Sequence, residues 1–374
     1  MADNPSYIYY GTRCNTSELS AFIQHTLFTN DKAEQAGRPK TPICIWGDHG
    51  IGKTQTVQAY AQEHNYSFAY IAPAQFEEMG DLLGMPRIVD TKQGSVTSFI
   101  PPDWVPKTEG PGILLIDDVN RADDRILRGI MQLLQNYELV SWALPPKWHI
   151  ILTANPDGGD YSVTPMDFAM LTRMMHITLV FEVKKWARWA EANQVDPRGI
   201  SFVLTYPEVA IGERTTPRTL VQFFENISHI PDLKKNLGLV KTLADACLDE
   251  NTVTSFMAFI NNDLSKLITP EEIINAQDFD KEVYQVIKAL VEQKTKRVDI
   301  ISVITTRLIN YLNVHNTQYE AYHLENIKSF LKMDFLPNDI RLVAAQDMMN
   351  LNLNDQLKSI WQDPVLGKYL LQMM

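Results

Sequence analysis

The chain has 374 residues, of which 45% are hydrophobic and 21% charged, and its formal net charge is −11. This length suggests two or three domains with a sizeable core, and the composition is that of a folded protein rather than a disordered one. The acidic balance argues against sequence-independent binding to nucleic acid, because that binding depends mainly on Lys and Arg. A local basic groove would still be compatible with this net negative charge.

The N-terminal stretch MADNPSYIYYG lacks the basic segment followed by an apolar one that a signal peptide has. Apolar runs elsewhere are shorter than the roughly 18 residues of a membrane span. Cys14, Cys44 and Cys247 are isolated from one another, so neither a disulfide framework nor a cysteine zinc site is expected. We therefore expect a cytoplasmic protein without a membrane span.

Short apolar segments alternate with helical ones over the first half of the chain. Residues 42–46 read as a strand, residues 47–54 as a glycine-rich loop and residues 55–65 as a helix. A further amphipathic helix is predicted over residues 124–139. Four more strands are predicted from runs that are apolar at nearly every position: 67–72, 112–116, 149–154 and 176–181. Such runs are typical of strands covered on both faces, so we predict an α/β fold with a largely parallel central sheet.

Helical patterns dominate after residue 182. Trp186 and Trp189 are three apart on a predicted helix, so they are expected to share a face and pack in the core. Thr269-Pro270-Glu271 supplies a capping hydroxyl and a proline in the first turn, which predicts a helix start. Three regions follow from these patterns: a large α/β domain over 1–182, a helical domain over 183–265 and a further helical region of unknown role over 266–374.

Residues 47–54, GDHGIGKT, match the phosphate-binding pattern G-x-x-x-x-G-K-[ST]. Glycines in such a loop let backbone N–H groups surround a phosphate chain, and the positive end of the following helix adds to the attraction. Lys53 would reach the outer phosphates and the Thr54 hydroxyl would bind Mg²⁺, while the His49 side chain is expected to face solvent. The predicted nucleotide-binding residues are Gly47, Asp48, His49, Gly50, Ile51, Gly52, Lys53, Thr54 and Gln55.

Two acids follow the predicted strand GILLI and raise a question about the chemistry of the site. Asp117 stands where the metal-binding acid of such a site belongs, and it would hold Mg²⁺ directly or through water. Asp118 stands where the acid that orients the attacking water belongs, a place usually taken by glutamate. Because aspartates also favour turns, a simple turn after the strand is the alternative interpretation.

The segment ILTANP ends a further predicted strand in Asn155 and Pro156. If this strand lies beside that of Asp117, the Asn155 amide would stand next to the phosphates, where it can position water and bond a phosphate oxygen. An Asn-Pro pair also starts turns, so the assignment depends on its order after the two earlier motifs.

Together these segments resemble AAA+ ATPases, most specifically the MoxR-like branch. The signatures Asp-Glu-Ile-Asn-Arg-Ala, Asn-Pro-Glu-Gly and Leu-Asp-Arg-Phe of that branch read here as DDVNRA (117–122), NPDG (155–158) and LTRM (171–174). GDLLGMP (80–86) is similar to another family segment, and FIPPDWVPKTEGP (99–111) stands where the family has its helix-2 insert. The resemblance covers roughly residues 35–230 and does not extend to residues 266–374.

This resemblance implies an AAA+ P-loop NTPase fold followed by an α-helical lid and a further helical C-terminal region. It also implies a homo-oligomeric ring, usually a hexamer, that binds ATP and Mg²⁺ at each subunit boundary. The insert near residues 90–104 would line the ring pore. The implied metal ligands are Thr54 and Asp117, and the implied catalytic residues are Asp118, Asn155, Arg173 and Arg218.

Three of these residues have roles that only the resemblance implies. Asn155 would be the sensor on the second strand, Arg218, which closes TTPR, would contact the γ-phosphate from the lid, and Arg173 would be an arginine finger acting on the neighbouring subunit. A surface arginine before a strand is the alternative interpretation of Arg173.

Three functions remain open from the sequence. The first is a ring ATPase that remodels or matures a protein client or adaptor, such as one with a von Willebrand factor A domain. The second is a nucleotide-dependent scaffold with weak hydrolysis, because the side chain of Asp118 is one methylene shorter than that of glutamate. The third is a GTP-dependent or nucleic-acid-associated motor subunit, against which the acidic charge counts as far as nucleic acid is concerned.

Overall fold

The computed structural model describes residues 10–92, 94–156, 163–262, 264, 267–291 and 297–371. The chain divides into two compact units, Met1–Phe181 and Glu182–Met374. In the described ranges, no helix combines the length and the apolar character needed to cross a bilayer.

The first unit is built on a parallel sheet, as predicted. Its strands are β1 (Thr12–Cys14), β2 (Ile43–Trp46), β3 (Ser67–Ile71), β6 (Gly112–Ile116), β7 (Trp148–Ala154) and β8 (Met175–Leu179). These six strands lie in the order β1-β8-β2-β7-β6-β3, and every neighbouring pair is parallel. Strand β1 is not predicted from the sequence, because three residues at a sheet edge are too few to show a periodic pattern.

Helices cover both faces of this sheet, which explains why the inner strands β2 and β6 carry no polar side chain. In β6, Ile113 and Leu115 belong to the core on one face, and Leu114 and Ile116 belong to the core on the other. The helices of this unit are α1 (Thr16–Gln35), α2 (Lys53–Glu63), α3 (Met79–Leu83), α4 (Asp124–Asn136) and α5 (Phe168–Leu171). Helices α1 and α2 pack on the first face and α4 on the second.

The predicted helix over 124–139 is three residues too long at its end, since α4 stops at Asn136. The next residue, Tyr137, has a left-handed backbone with φ of 58°, which a helix cannot continue through. The apolar Leu139 that extended the prediction is buried because its side chain belongs to the core on the α4 side of the sheet, and its N–H donates to the Trp142 carbonyl in the following turn.

A separate antiparallel hairpin, β4 (Met85–Thr91) and β5 (Gly94–Ile100), was also missed. Most of its described side chains are exposed, and Ile88 is 75% accessible, so neither strand shows an inward and an outward face in its sequence. The hairpin overlaps the predicted insert near residues 90–104; its pore-lining role stays a prediction.

The second unit is helical throughout its described part. Its helices are α6 (Val183–Ala192), α7 (Pro197–Thr205), α8 (Pro217–Ser228), α9 (Leu237–Cys247), α10 (Glu250–Asn261), α11 (Pro270–Asn275), α12 (Gln285–Val291), α13 (Val298–Val314), α14 (Ala321–Leu331), α15 (Asn338–Asn350), α16 (Asp355–Lys358) and α17 (Pro364–Leu371). Thr269 caps α11: its hydroxyl accepts from the N–H of Glu272, whose carboxylate accepts from the N–H of Thr269. The division of this unit at residue 265 stays a prediction.

The prediction that both tryptophans of α6 pack in the core was wrong for one of them. Trp186 is buried with Ala187 and Ala190, whereas Trp189 is 46% exposed. Residues three apart on a helix are separated by about 60° around its axis, so the second ring lies at the border of a narrow buried stripe.

Candidate functional site

The glycine-rich loop joins β2 to α2 at the carboxyl end of the parallel strands. Gly50 and Gly52 have φ of 73° and 96°, a region that side chains rarely enter. At Gly47 a Cβ would stand 2.7 Å from the Leu179 carbonyl oxygen, so only glycine fits there. Gly52 is also the N-cap of α2 and has no side chain to satisfy the first N–H groups of the helix. Those groups are therefore available to an anion.

Lys53, the first residue of α2, is buried in this loop at 6% exposure. Its ammonium group donates to the Gly47 carbonyl at 2.7 Å, to the Asp48 carbonyl at 3.0 Å and to the side-chain oxygen of Asn155 at 3.1 Å. Burial lowers the pKa of Lys53 to about 8, against the opposing effect of Asp118 and Asp117. The loop thus holds a desolvated cation where phosphates are predicted to bind.

Asp117 links the loop to two strands through its carboxylate. The hydroxyls of Thr54 and Thr153 each donate to its Oδ1 at 2.6 Å. The Tyr70 hydroxyl donates to its Oδ2 at 3.1 Å. Burial and the neighbouring Asp117 raise the pKa of Tyr70 to about 12. The two predicted metal ligands, Thr54 and Asp117, are therefore in direct contact.

Asp118 follows in a left-handed conformation with φ of 47° and ψ of 46°. Its N–H donates to the Thr153 hydroxyl at 2.8 Å, which fixes the backbone at this strained residue. Its Oδ1 accepts from the Asn155 amide at 3.0 Å, and its Oδ2 lies 3.3 Å from Nε of Arg121. The shorter side chain thus already reaches the predicted sensor residue.

Asn155 lies at the end of β7, and β7 pairs with β6, as the prediction for this residue required. Its backbone is fixed by Asn120: the Asn120 amide donates to the Asn155 carbonyl at 2.8 Å, and the Asn155 N–H donates to the Asn120 side-chain oxygen at 3.1 Å. Both asparagines are fully buried. Asn120 therefore joins the ends of two strands that both supply site residues.

Not all predicted site residues join this cluster. Arg173 follows α5 and is partly exposed; its guanidinium donates to Gln135 Oε1, with Nη2 at 3.2 Å, and to the Ala169 carbonyl. Arg218 is an exposed residue at the start of α8 in the second unit. Gln55 is exposed on the first turn of α2, and His49 is half-buried in the loop. Asp157 and Gly158 of the NPDG segment lie outside the described residues.

Thr54 and Asp117 offer a hydroxyl and a carboxylate oxygen at the same point. These are hard oxygen donors of the kind that Mg²⁺ takes, and Mg²⁺ usually completes its shell with phosphate oxygens and water rather than with further side chains. The donor set therefore fits a magnesium ion that accompanies a bound triphosphate.

Tyr70, Thr153 and Asn120 had no predicted role in the site. Thr153 stands two residues before Asn155 on β7, so the alternation of the strand could have indicated that both side chains point the same way. Tyr70 is on β3, and its contact depends on β3 lying beside β6, which no local pattern reveals.

The low pKa of Lys53 leads to a prediction for nucleotide binding. Near pH 8 the free protein begins to lose the Lys53 charge, whereas bound phosphates would retain it, so binding takes up a proton and the affinity falls as the pH rises. We expect the ATP affinity, measured by titration calorimetry, to be about tenfold weaker at about pH 9 than at about pH 7.

Lys53→Arg is the matched control, because a guanidinium stays charged over this range and its affinity should be nearly independent of pH. A wild-type affinity that is equal at the two pH values would contradict the prediction.

Residues 42–174 match the AAA domain model of the dynein-related subfamily. A search of curated proteins finds no significant match.

Similar solved structures include the Thermotoga maritima RuvB Holliday junction branch migration motor, with 14% identity, 82% of this chain and 94% of that chain covered and a TM-score of 0.36. They also include a candidate ATPase from Cytophaga hutchinsonii, with 14% identity, coverage of 94% and 88% and a TM-score of 0.31. Because these TM-scores are low, the fold is assigned from the family model, the order of the strands in the sheet and the glycine-rich loop. The chain therefore has the AAA+ P-loop fold, with the match to the AAA domain model at residues 42–174, and a helical region follows it in the chain.

Proposed function

We propose that this chain is a Mg²⁺-dependent ATPase that acts as an AAA+ ring. One observation carries the proposal: the loop, β6 and β7 meet in a single hydrogen-bonded network. In that network Asp117 accepts from Thr54 and Thr153, and Asn155 contacts both Lys53 and Asp118. A glycine-rich turn without a binding role would not require a buried lysine or two carboxylates close to it.

Each group has a task in phosphoryl transfer. The N–H groups of the loop and Lys53 bind the phosphates, and Thr54 and Asp117 hold Mg²⁺, which neutralises charge on the phosphate oxygens. Asp118 orients the attacking water, and Asn155 holds that carboxylate on one side and the lysine on the other. Catalysis of this type consists mainly of positioning and electrostatic stabilisation, which a preorganised network supplies.

Arg173 is proposed to act on a neighbouring subunit. Its described contacts are with Gln135 and Ala169 and not with the loop or the two acids, and it is partly exposed. An arginine that completes a site in trans makes hydrolysis depend on assembly. Arg218 is proposed to contact the γ-phosphate from the helical lid. The ring is proposed to be a hexamer, as is usual for the MoxR-like branch that the sequence resembles.

The work done by the ring is proposed to be remodelling or maturation of a protein client, with an adaptor such as a von Willebrand factor A domain. The hairpin formed by β4 and β5 supports this, because Met85, Ile88 and Ile100 are exposed by half or more. Exposed apolar side chains of this kind suit contact with polypeptide.

A second candidate is a nucleotide-dependent scaffold with slow hydrolysis. The contacts of Asp118 favour it, because both carboxylate oxygens are already engaged, by Asn155 and Arg121. In this case ATP would bind and promote assembly, but water would not be oriented for attack.

Hydrolysis measured against protein concentration tests the proposal. Turnover of ATP per subunit should rise with concentration as rings assemble, and Lys53→Ala should abolish it. The same series with GTP decides the nucleotide preference. If ATP binds but is not hydrolysed at any protein concentration, the scaffold is favoured. If ATP is neither bound nor hydrolysed, the assignment of a nucleotide site is contradicted.

A further inference from the structure

The predicted metal-binding carboxylate has a partner that the nucleotide motifs do not include. Tyr70 lies on β3, the edge strand beside β6, and is paired with Leu115. Its hydroxyl donates to Oδ2 of Asp117 at 3.1 Å. The neighbouring backbone fixes the register of this contact, because the Asp117 N–H donates to the Ile71 carbonyl at 2.8 Å.

Packing alone does not explain the position of the Tyr70 side chain. Its neighbour Ile71 is buried at 3% exposure, whereas Tyr70 is 46% exposed. Tyr70 is thus only about half-buried, and its hydroxyl has a specific partner in the site. A half-exposed tyrosine whose hydroxyl reaches a carboxylate is positioned for that carboxylate as well as for packing.

Among the residues that the structure describes, the side-chain donors to Asp117 are unevenly divided between its two oxygens. Thr54 and Thr153 donate to Oδ1, and Tyr70 donates to Oδ2. The two threonine hydroxyls hold Oδ1, but rotation about the terminal torsion of an aspartate is soft, so a carboxylate held at one oxygen can still pivot about that oxygen. The bond from Tyr70 to Oδ2 fixes the second oxygen and therefore the plane of the carboxylate.

We propose that Tyr70 is a positioning residue that holds Asp117 in the orientation that binds the divalent cation accompanying a nucleoside triphosphate. This inference depends on the proposed function of the same site. Partners of metal-binding groups typically change metal affinity by roughly 10- to 100-fold when they are removed. Because Tyr70 is half-exposed and water can replace part of its bond, we expect the lower end of that range.

The test measures metal dependence by binding rather than by turnover. Fluorescent ATP is titrated with Mg²⁺ in the wild type, in Tyr70→Phe and in Tyr66→Phe, a control that removes a hydroxyl from the residue just before β3. Tyr70→Phe should raise the Mg²⁺ concentration at half-saturation about tenfold and leave the affinity for metal-free nucleotide unchanged. In the control, Tyr66→Phe, the Mg²⁺ concentration at half-saturation should equal that of the wild type. Binding of Mn²⁺, followed by electron paramagnetic resonance, should weaken by the same factor.

The outcomes separate this inference from the proposed function. Mg²⁺-dependent binding in the wild type that is unchanged in Tyr70→Phe would overturn the role of Tyr70 and leave the nucleotide site intact. Absence of Mg²⁺-dependent binding in the wild type would overturn both. Tyr70→Leu distinguishes hydroxyl from ring: weak metal binding in the leucine variant with normal binding in the phenylalanine variant would assign the effect to the ring and contradict the proposal.

Discussion

Replacing Asp118 by asparagine is expected to lower steady-state ATP hydrolysis by at least about a hundredfold while Mg²⁺-dependent ATP binding stays near the wild-type level. The amide has nearly the same shape as the carboxylate but lacks the charge that orients and polarises the attacking water, a contribution of roughly 10² to 10⁴ in rate. Lys53 and Thr54 have no described hydrogen bond to Asp118, so their contacts should persist. Because the Asp118 charge raises the pKa of Lys53, its loss lowers that pKa further, and binding is therefore compared at a pH below it, where Lys53 is charged in both proteins.

Phosphate release and calorimetric binding, measured side by side, check this expectation. Asp124→Asn is the matched control, since Asp124 is an exposed carboxylate that pairs with Arg128 on the surface of α4. Asp118→Glu should remain within about tenfold of the wild type because the charge is retained. If the wild type hydrolyses ATP no faster than Asp118→Asn, Asp118 does not orient water, and the scaffold becomes the better account.

The second large effect is expected at Arg173. Arg173→Ala should lower ATP hydrolysis by roughly 10³-fold or more, because an arginine supplied in trans contributes about 10³ to 10⁵ in related phosphoryl transfers. Folding should be unaffected, since the side chain is partly exposed and its described hydrogen bonds are those to Gln135 and Ala169. Arg128→Ala, on the exposed face of α4, is the control and should keep full activity.

Mixing two inactive variants tests whether Arg173 acts across a subunit boundary. A subunit with Arg173→Ala retains its own loop, and one with Lys53→Ala retains its arginine, so mixed rings contain some complete sites. Hydrolysis should partly return on mixing. If it does not return although mixed assembly is demonstrated by co-purification, Arg173 acts within its own subunit.

The sequence predicts those parts of the site that local chemistry determines. The loop at residues 47–54 needs glycines at positive φ and a lysine in the first turn of a helix. Both requirements are visible in the short sequence pattern G-x-x-x-x-G-K-[ST]. Asp117, Asp118 and Asn155 were predicted from their places at strand ends, and the sheet order brings the three together. The buried strands are predictable because helices cover both faces of the sheet, which requires nearly every residue of these strands to be apolar.

The features that the sequence missed depend on which strands become neighbours. Tyr70 contacts Asp117 only because β3 and β6 pair, and Asn120 joins two strand ends that are distant along the chain. The hairpin of β4 and β5 has no buried face to produce a pattern. Trp189 was misplaced because spacing alone does not give the width of the buried stripe.

The central claim is that the loop, the two acids of β6 and Asn155 form one site for ATP and Mg²⁺. A structure of the protein with Mg²⁺ and a non-hydrolysable ATP analogue tests it most directly. We expect the phosphates to lie against the N–H groups of the loop and Lys53, with Mg²⁺ between Thr54 and Asp117 and the Asp118 carboxylate facing the γ-phosphate. Phosphates bound elsewhere, or a metal held by neither Thr54 nor Asp117, would contradict the claim.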